Sequence, residues 1–347
     1  MVVKSTKVAA IAAVGLAMLF GTEDLHSEES LWSLYERWGA RFNRARDPAD
    51  KLRRFDVFKA TVRRVHGRWS AAGQAQAPPG LNGFADLSDQ EVGEYSCSMP
   101  DDDDDPPAAN APSARRRRDP PSSGFHRLAH RDLRQRQAVE SNYAIRGRNN
   151  QLDPILLSEQ ELVDCDGKNR GCKGGLATRA FDYVAMNGIS SSAAYPYRAL
   201  NGTCQSGGKS RVDMILRGYE QLPSYDEFQL LQAVTYGPIA VSISVANTTD
   251  FTDHEGGVYR GPCGTRPNHA MLLVGYDAEY YFLKNSYGQD WGDEGYLTLP
   301  RDSADRTRGT CAILVRRGSY PEMDIRRIQV MCVVCGFRSM HVKNPHN

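Results

Sequence analysis

The chain has no cysteine between Cys97 and Cys165, so no thiol chemistry can originate in residues 98–164. It has almost no net charge: 43 basic and 42 acidic side chains leave +1, which gives no sign of a polyanion-binding protein. It lacks a long apolar run. The best candidate, Val8 to Phe20, falls short of the roughly 20 residues that a membrane-spanning helix needs. It has no internal repeat. What is present is an ordinary globular composition, 40% hydrophobic and 24% charged, on 347 residues. That length accommodates two domains, or one domain with a large accessory segment.

Lys4 and Lys7 precede the Val8–Phe20 run, and polar and acidic residues follow from Glu23. A basic start and a short apolar stretch read as a secretory signal peptide over residues 1–22. The alternative is a buried first helix, against which stands the lack of any amphipathic pattern. Export would make the eight cysteines candidates for disulfides. The sequons Asn201-Gly202-Thr203 and Asn247-Thr248-Thr249 fit the same route. The destination stays open between the extracellular space and a vacuole or lysosome.

Three zones follow. Residues 29–96 are rich in charge and carry two apolar stripes at helical spacing. Leu31, Leu34, Trp38 and Phe42 form one; Leu52, Phe55, Phe58, Val62 and Val65 form the other. Residues 97–124 form a joint with Asp101 to Asp105, two Pro-Pro pairs and Arg115 to Arg118, a composition that cannot bury a core. The joint is open to proteolysis, and the arginines are either a processing site or a solvated linker. Residues 125–321 carry the globular signals: helices at Ser158–Val163 and Leu176–Met186, then strands at Ile239–Val245, Ala270–Tyr276, Tyr280–Lys284 and Gly295–Leu299. Helices first and strands second predict an α+β fold with two lobes.

The chemistry concentrates in two of these strands. His269 heads the apolar run Ala270 to Tyr276, and Asn285 follows Leu283-Lys284. A strand pair with a short loop sets an imidazole beside a neutral amide. That suits a general base whose tautomer the amide fixes, able to draw a proton from a thiol.

Upstream, Leu157-Ser158-Glu159-Gln160-Glu161-Leu162-Val163-Asp164-Cys165 and Gly171-Cys172-Lys173-Gly174-Gly175 resemble the papain-like cysteine peptidases, a likeness that runs from Ala138 to Pro321. The first zone is similar to the family's inhibitory propeptide. Asp50, Arg54, Val57, Phe58 and Val65 match its interrupted helix motif, and Gly80, Asn82, Phe84 and Asp86 match G-x-N-x-F-x-D. Asp50 and Thr61 depart mildly from the usual Glu and Asn.

The resemblance implies a papain-like fold, with a helical lobe and a β-barrel-like lobe, preceded by a helical propeptide. It implies His269 as catalytic base and Asn285 as its orienting partner. Gly174 and Gly175 would pair with an extended substrate, and Leu176, Ala177, Ser242 and Pro267 would line an apolar specificity pocket. It implies the disulfides Cys165–Cys204 and Cys263–Cys311. The expected partners are peptide or protein substrates and the chain's own propeptide, acting on a monomer; no cofactor, nucleic acid or membrane is called for. Tyr287 stands where the family has Trp, which keeps an aromatic lid.

One part of the pattern is missing. The family's C-G-[SA]-C-[WY] nucleophile motif lies about 130–150 residues before the His. That window, residues 119–139, holds no cysteine, and ungapped alignment from Glu140 puts His130 at the nucleophile position. The oxyanion-hole glutamine is absent with it, and so is the cysteine that would pair with Cys172. Arg131, Asp132, Arg134 and Arg136 fall where the family buries a helix, at a cost of several kcal/mol if unpartnered. Cys97 has no helix terminus or cation to activate it. The expectation is a peptidase by family, either an active protease whose coding segment is skipped here or a pseudoprotease that binds without cutting. A third possibility is that residues 29–96 alone act as a protease inhibitor. In the tail, residues 322–347, Cys332, Cys335, His341 and His346 leave a zinc site, an extra disulfide or a coreless tail open, and no metal is assigned.

Overall fold

The structure, a computed structural model, describes residues 27–71, 80–95, 139, 140, 142, 156–212, 214–246 and 248–323. The Val8–Phe20 run, the charged joint, His130 and the arginines around it, Asn247 and the Cys332/Cys335 tail lie outside them.

The first zone folds as two helices. In α1 (Glu28–Arg41), the N-cap Ser27 side chain accepts the Ser30 amide, and Glu28 and Glu29 face the positive end of the helix dipole. α2 (Pro48–Ala71) opens on a proline, whose fixed φ suits the first helical position. Leu31, Leu34, Tyr35 and Trp38 are buried against Phe55, Phe58, Val62 and Val65, with Leu81 and Ala85 closing the cluster. Leu52, expected in the second stripe, is instead 63% exposed. At about 100° per residue it lies about 100° away from the mean direction of the other four, so the buried face begins one turn later.

The helical lobe is built from α4 (Glu159–Cys165), a 3₁₀ turn at Gly171–Lys173 and α5 (Ala177–Asn187), after the short α3 (Asp89–Tyr95). Six strands follow: β1 (Leu216–Gln221), β2 (Ile239–Ile243), β3 (His269–Tyr276), β4 (Tyr280–Lys284), β5 (Tyr296–Pro300) and β6 (Ser319–Met323). Helices α6 (Glu227–Val234) and α7 (Thr248–Thr252) flank β2. The strands make one antiparallel sheet in the order β1-β6-β2-β3-β4-β5.

Alternation along β2 and β3 splits two cores. Ile239, Val241, Ile243, Met271 and Leu273 enter the main β core with Leu283, Leu297, Leu299 and Trp291. Ala240, Leu272 and Val274, on the other face, join Phe181 and Val184 of α5. The helical lobe therefore packs on the back of the strand that begins with His269. Both disulfides implied by the resemblance are formed, Cys165–Cys204 and Cys263–Cys311. The α+β papain-like architecture expected from the sequence is the one observed.

Candidate active site

His269 is the first residue of β3, and Asn285 directly follows β4. The antiparallel register, with Leu272 opposite Lys284, brings both residues to the same end of the hairpin. His269 Nε2 lies 2.9 Å from Asn285 Oδ1. The same Oδ1 accepts the Ser286 amide at 2.9 Å, which fixes the orientation of the Asn285 side chain. Since an amide oxygen only accepts, Nε2 of the neutral imidazole carries the hydrogen and Nδ1 is left with its lone pair. The pair thus presents a base at a defined atom.

Both side chains are buried, His269 at 5% exposure and Asn285 at 4%. Burial lowers the His269 pKa, and the bond to Asn285 partly opposes it. The ring stands edge-on to Phe251 at 5.1 Å and to Tyr287 at 5.4 Å. Trp291, fully buried, braces both: its Nε1 donates to Phe251 O at 2.9 Å and its ring lies 5.5 Å from Tyr287. The aromatic lid expected at Tyr287 is in place.

Ser242 pairs with Ala270, the residue after His269, and Pro267 lies two residues before His269 in the chain. Ile243 pairs with His269 across β2–β3, and the Asn268 amide donates to Ile243 O at 2.9 Å. Gly174, Gly175 and Leu176 stand on a separate segment, between the 3₁₀ turn and α5. Gly174 has φ 96° and ψ −170°, a conformation that needs glycine. At Gly175 a Cβ would sit 2.2 Å from Asn169 Oδ1. Asn169 holds the loop here, bonding both the Leu176 amide and the Leu176 carbonyl. The second glycine is thus demanded by the loop's own packing, apart from any approach of a peptide. Cys172, next door, is half-buried and unpaired.

The first zone docks on the β lobe, a few residues from the aromatic wall. The Gly80 amide donates to Asp253 O, and the Gly83 amide donates to Asp290 O, both at 3.0 Å. Asn82 Nδ2 donates to Thr252 O at 2.6 Å and His254 O at 3.2 Å, while its Oδ1 accepts the Phe84 amide. A Cβ on Gly80 would collide with Glu255. Phe84 enters the β core and stands 5.7 Å from Tyr287. Asp86, fully buried, is held by Arg46 and the Tyr35 hydroxyl. Arg54 joins Asp50 to Glu91 and caps Asp86 O, tying α2 to the motif.

Charge reinforces the dock. Arg64 and Arg68 of α2 converge on the buried Asp253, Arg68 also pairs with Asp250, Arg41 pairs with Glu255 and Arg44 with Asp290. Sequence reasoning missed this acidic rim. Its partners lie far away in the chain, as with Arg64 and Asp253 at a separation of 189 residues, so no local pattern marks it. It missed Phe251 for the same reason. Among the described residues no group of three or more His, Cys, Asp or Glu is placed to hold a metal ion, and no helix is long and apolar enough to cross a membrane.

Comparison with known proteins agrees with this fold. Residues 135–317 match the model of the papain family of cysteine proteases, and residues 35–92 match the cathepsin propeptide inhibitor domain. The papain match begins past His130. The chain is 35% identical to the thiol protease SEN102 of Hemerocallis sp. over 346 residues, covering 91% of this chain and 94% of that protein. It is 34% identical to vignain of Ricinus communis over 342 residues, covering 90% and 92% respectively. Among solved structures, recombinant stem bromelain precursor superposes with a TM-score of 0.64 at 29% identity, covering 85% of this chain and 99% of that one. The chain belongs to the papain family of cysteine proteases and carries that family's propeptide inhibitor domain.

Proposed function

We propose that this chain is a papain-type cysteine endopeptidase precursor by architecture that, with the sequence it has, does not hydrolyse peptides. The observation behind this reading is a mismatch. The His269–Asn285 pair is assembled at 2.9 Å with Nδ1 free of the amide, yet residues 98–164 contain no cysteine. Family chemistry needs a thiolate at that imidazole to attack the substrate carbonyl. Without the thiol, the base has no nucleophile to activate. His269 and Asn285 keep the roles of base and orienting residue; Gly174, Gly175, Leu176, Ala177, Ser242 and Pro267 line the substrate cleft; and residues 29–96 cover it.

The test is hydrolysis of fluorogenic peptides by the full chain after removal of residues up to the charged joint. No turnover above the His269→Ala variant is expected, and a His269-dependent rate would refute the reading.

A second reading accounts for the joint loss of nucleophile, glutamine and Cys172 partner in one stretch: an active protease of the secretory pathway whose coding segment near residues 119–137 is skipped. Sequencing the transcript across Arg118 to Glu140 separates the two. An in-frame segment encoding a Q-G-x-C stretch would establish the active protease; a transcript that runs from Arg118 to Glu140 without one would leave a cleft that binds peptides without cutting them.

A further inference from the structure

We infer that Asn201 carries an N-linked glycan, and that this glycan shields the unpaired thiol of Cys172. The inference rests on the secretory reading of the chain. Asn201-Gly202-Thr203 is an acceptor sequence, all three residues are exposed, and the segment has no regular secondary structure. The loop is nevertheless well anchored. Gln160 Nε2 donates to Leu200 O and the Gly202 amide donates to Asp164 Oδ1, each at 2.7 Å, and Cys204 is bridged to Cys165.

The Asn201 side chain has its two ends assigned. Oδ1 accepts the Cys172 amide hydrogen at 2.9 Å. Nδ2, the nitrogen that glycosylation uses, is not part of that bond. Transfer joins Nδ2 to the anomeric carbon of a lipid-diphosphate-linked oligosaccharide. The carbon–oxygen bond to the diphosphate breaks, the lipid diphosphate leaves, and one amide proton is lost. The substituted amide keeps its carbonyl oxygen, so the bond to Cys172 survives modification.

The neighbour explains what the glycan does. Cys172 is the one described cysteine outside a disulfide, and it is half-buried rather than enclosed. In an oxidising lumen a leftover accessible thiol invites cross-linking between chains. A glycan rooted one hydrogen bond away holds a second chain off. The bulk stands on the rim of the 3₁₀ turn that leads into Gly174 and Gly175.

The experiment secretes the full chain from a eukaryotic host, maps the Asn201 peptide before and after peptide:N-glycosidase treatment, and measures alkylation of Cys172 in both states. Glycan occupancy at Asn201 and a several-fold faster alkylation after its removal are expected. Thr203→Ala removes the acceptor sequence without touching the Asn201–Cys172 bond. It should yield reducible dimers that the double variant with Cys172→Ser lacks. A chain recovered from the lumen or medium with Asn201 bare overturns the glycan site. Equal alkylation rates with and without the glycan overturn the shielding. Retention in the cytosol overturns the secretory reading, and the glycan with it.

Discussion

His254 gives the stability of the fold a calculable dependence on acid. Its ring is 4% exposed, edge-on to Tyr259 at 5.4 Å and tilted against Trp291 at 5.6 Å. Its Nε2 has no hydrogen-bond partner among the described residues. Burial pushes its pKa down from 6.5 to about 4. Between those values the unfolded chain binds a proton that the folded chain refuses, so stability rises with pH and is lost as pH falls. Full separation of the two pKa values corresponds to about 3 kcal/mol, nearly all of it gone by pH 4.

The neighbouring Glu255 acts in the opposite sense. Glu255, whose pKa burial raises against the pull of Arg41, favours the folded state as pH falls. Comparison with a variant isolates the histidine. His254→Phe keeps an aromatic ring between Tyr259 and Trp291 and removes the titration. Urea unfolding at fixed ionic strength, followed by tryptophan fluorescence from pH 7.5 to 4, should show the variant gaining about 3 kcal/mol over the parent chain across that range. A gap that stays constant with pH would refute the burial argument.

Asn82→Ala should loosen the dock by about 2–4 kcal/mol, because the buried Thr252 carbonyl and Phe84 amide each lose the partner described above. Hydrogen exchange over residues 80–95 would rise, while exchange in β3 and β4 would hold. Replacing Cys165 and Cys204 together by serine opens a loop of 39 residues and should cost up to about 4 kcal/mol, seen as a drop in the melting temperature. Little change would mean that the hydrogen bonds of Asp164 and Gln160 alone hold that loop.

Much of this was legible in the residues. The strand run after His269 and the helix after Leu176 were found within a residue or two of their observed ends, because a fully apolar strand and a 3.6-residue stripe survive any tertiary context. Two strands were not legible. β1 reads Leu-Arg-Gly-Tyr-Glu-Gln, with a register shift at Gly218 and four of its six residues charged, polar or glycine. β6 contains Pro321, which lacks a ladder donor; it is tolerated because β6 meets β2 only at Ser319, leaving the rest of that side unpaired in the sheet. The His269–Asn285 pairing was readable because both residues sit at strand ends whose register the hydrophobic pattern sets. The acidic rim of Asp250, Asp253 and Glu255 was not. Its meaning depends on arginines brought near by folding, and isolated charges on a surface segment look alike whether or not they are paired.

Labelling of the full chain by the epoxide E-64, read by intact mass and peptide mapping, tests the proposed lack of an activated thiol most directly. The reagent reports a cysteine thiolate activated by an imidazole, whatever position that cysteine holds in the sequence. No adduct is expected at any cysteine, with or without residues 29–96 in place. A stoichiometric adduct that disappears in His269→Ala would contradict that expectation, by revealing a thiol that reaches His269 from elsewhere in the chain.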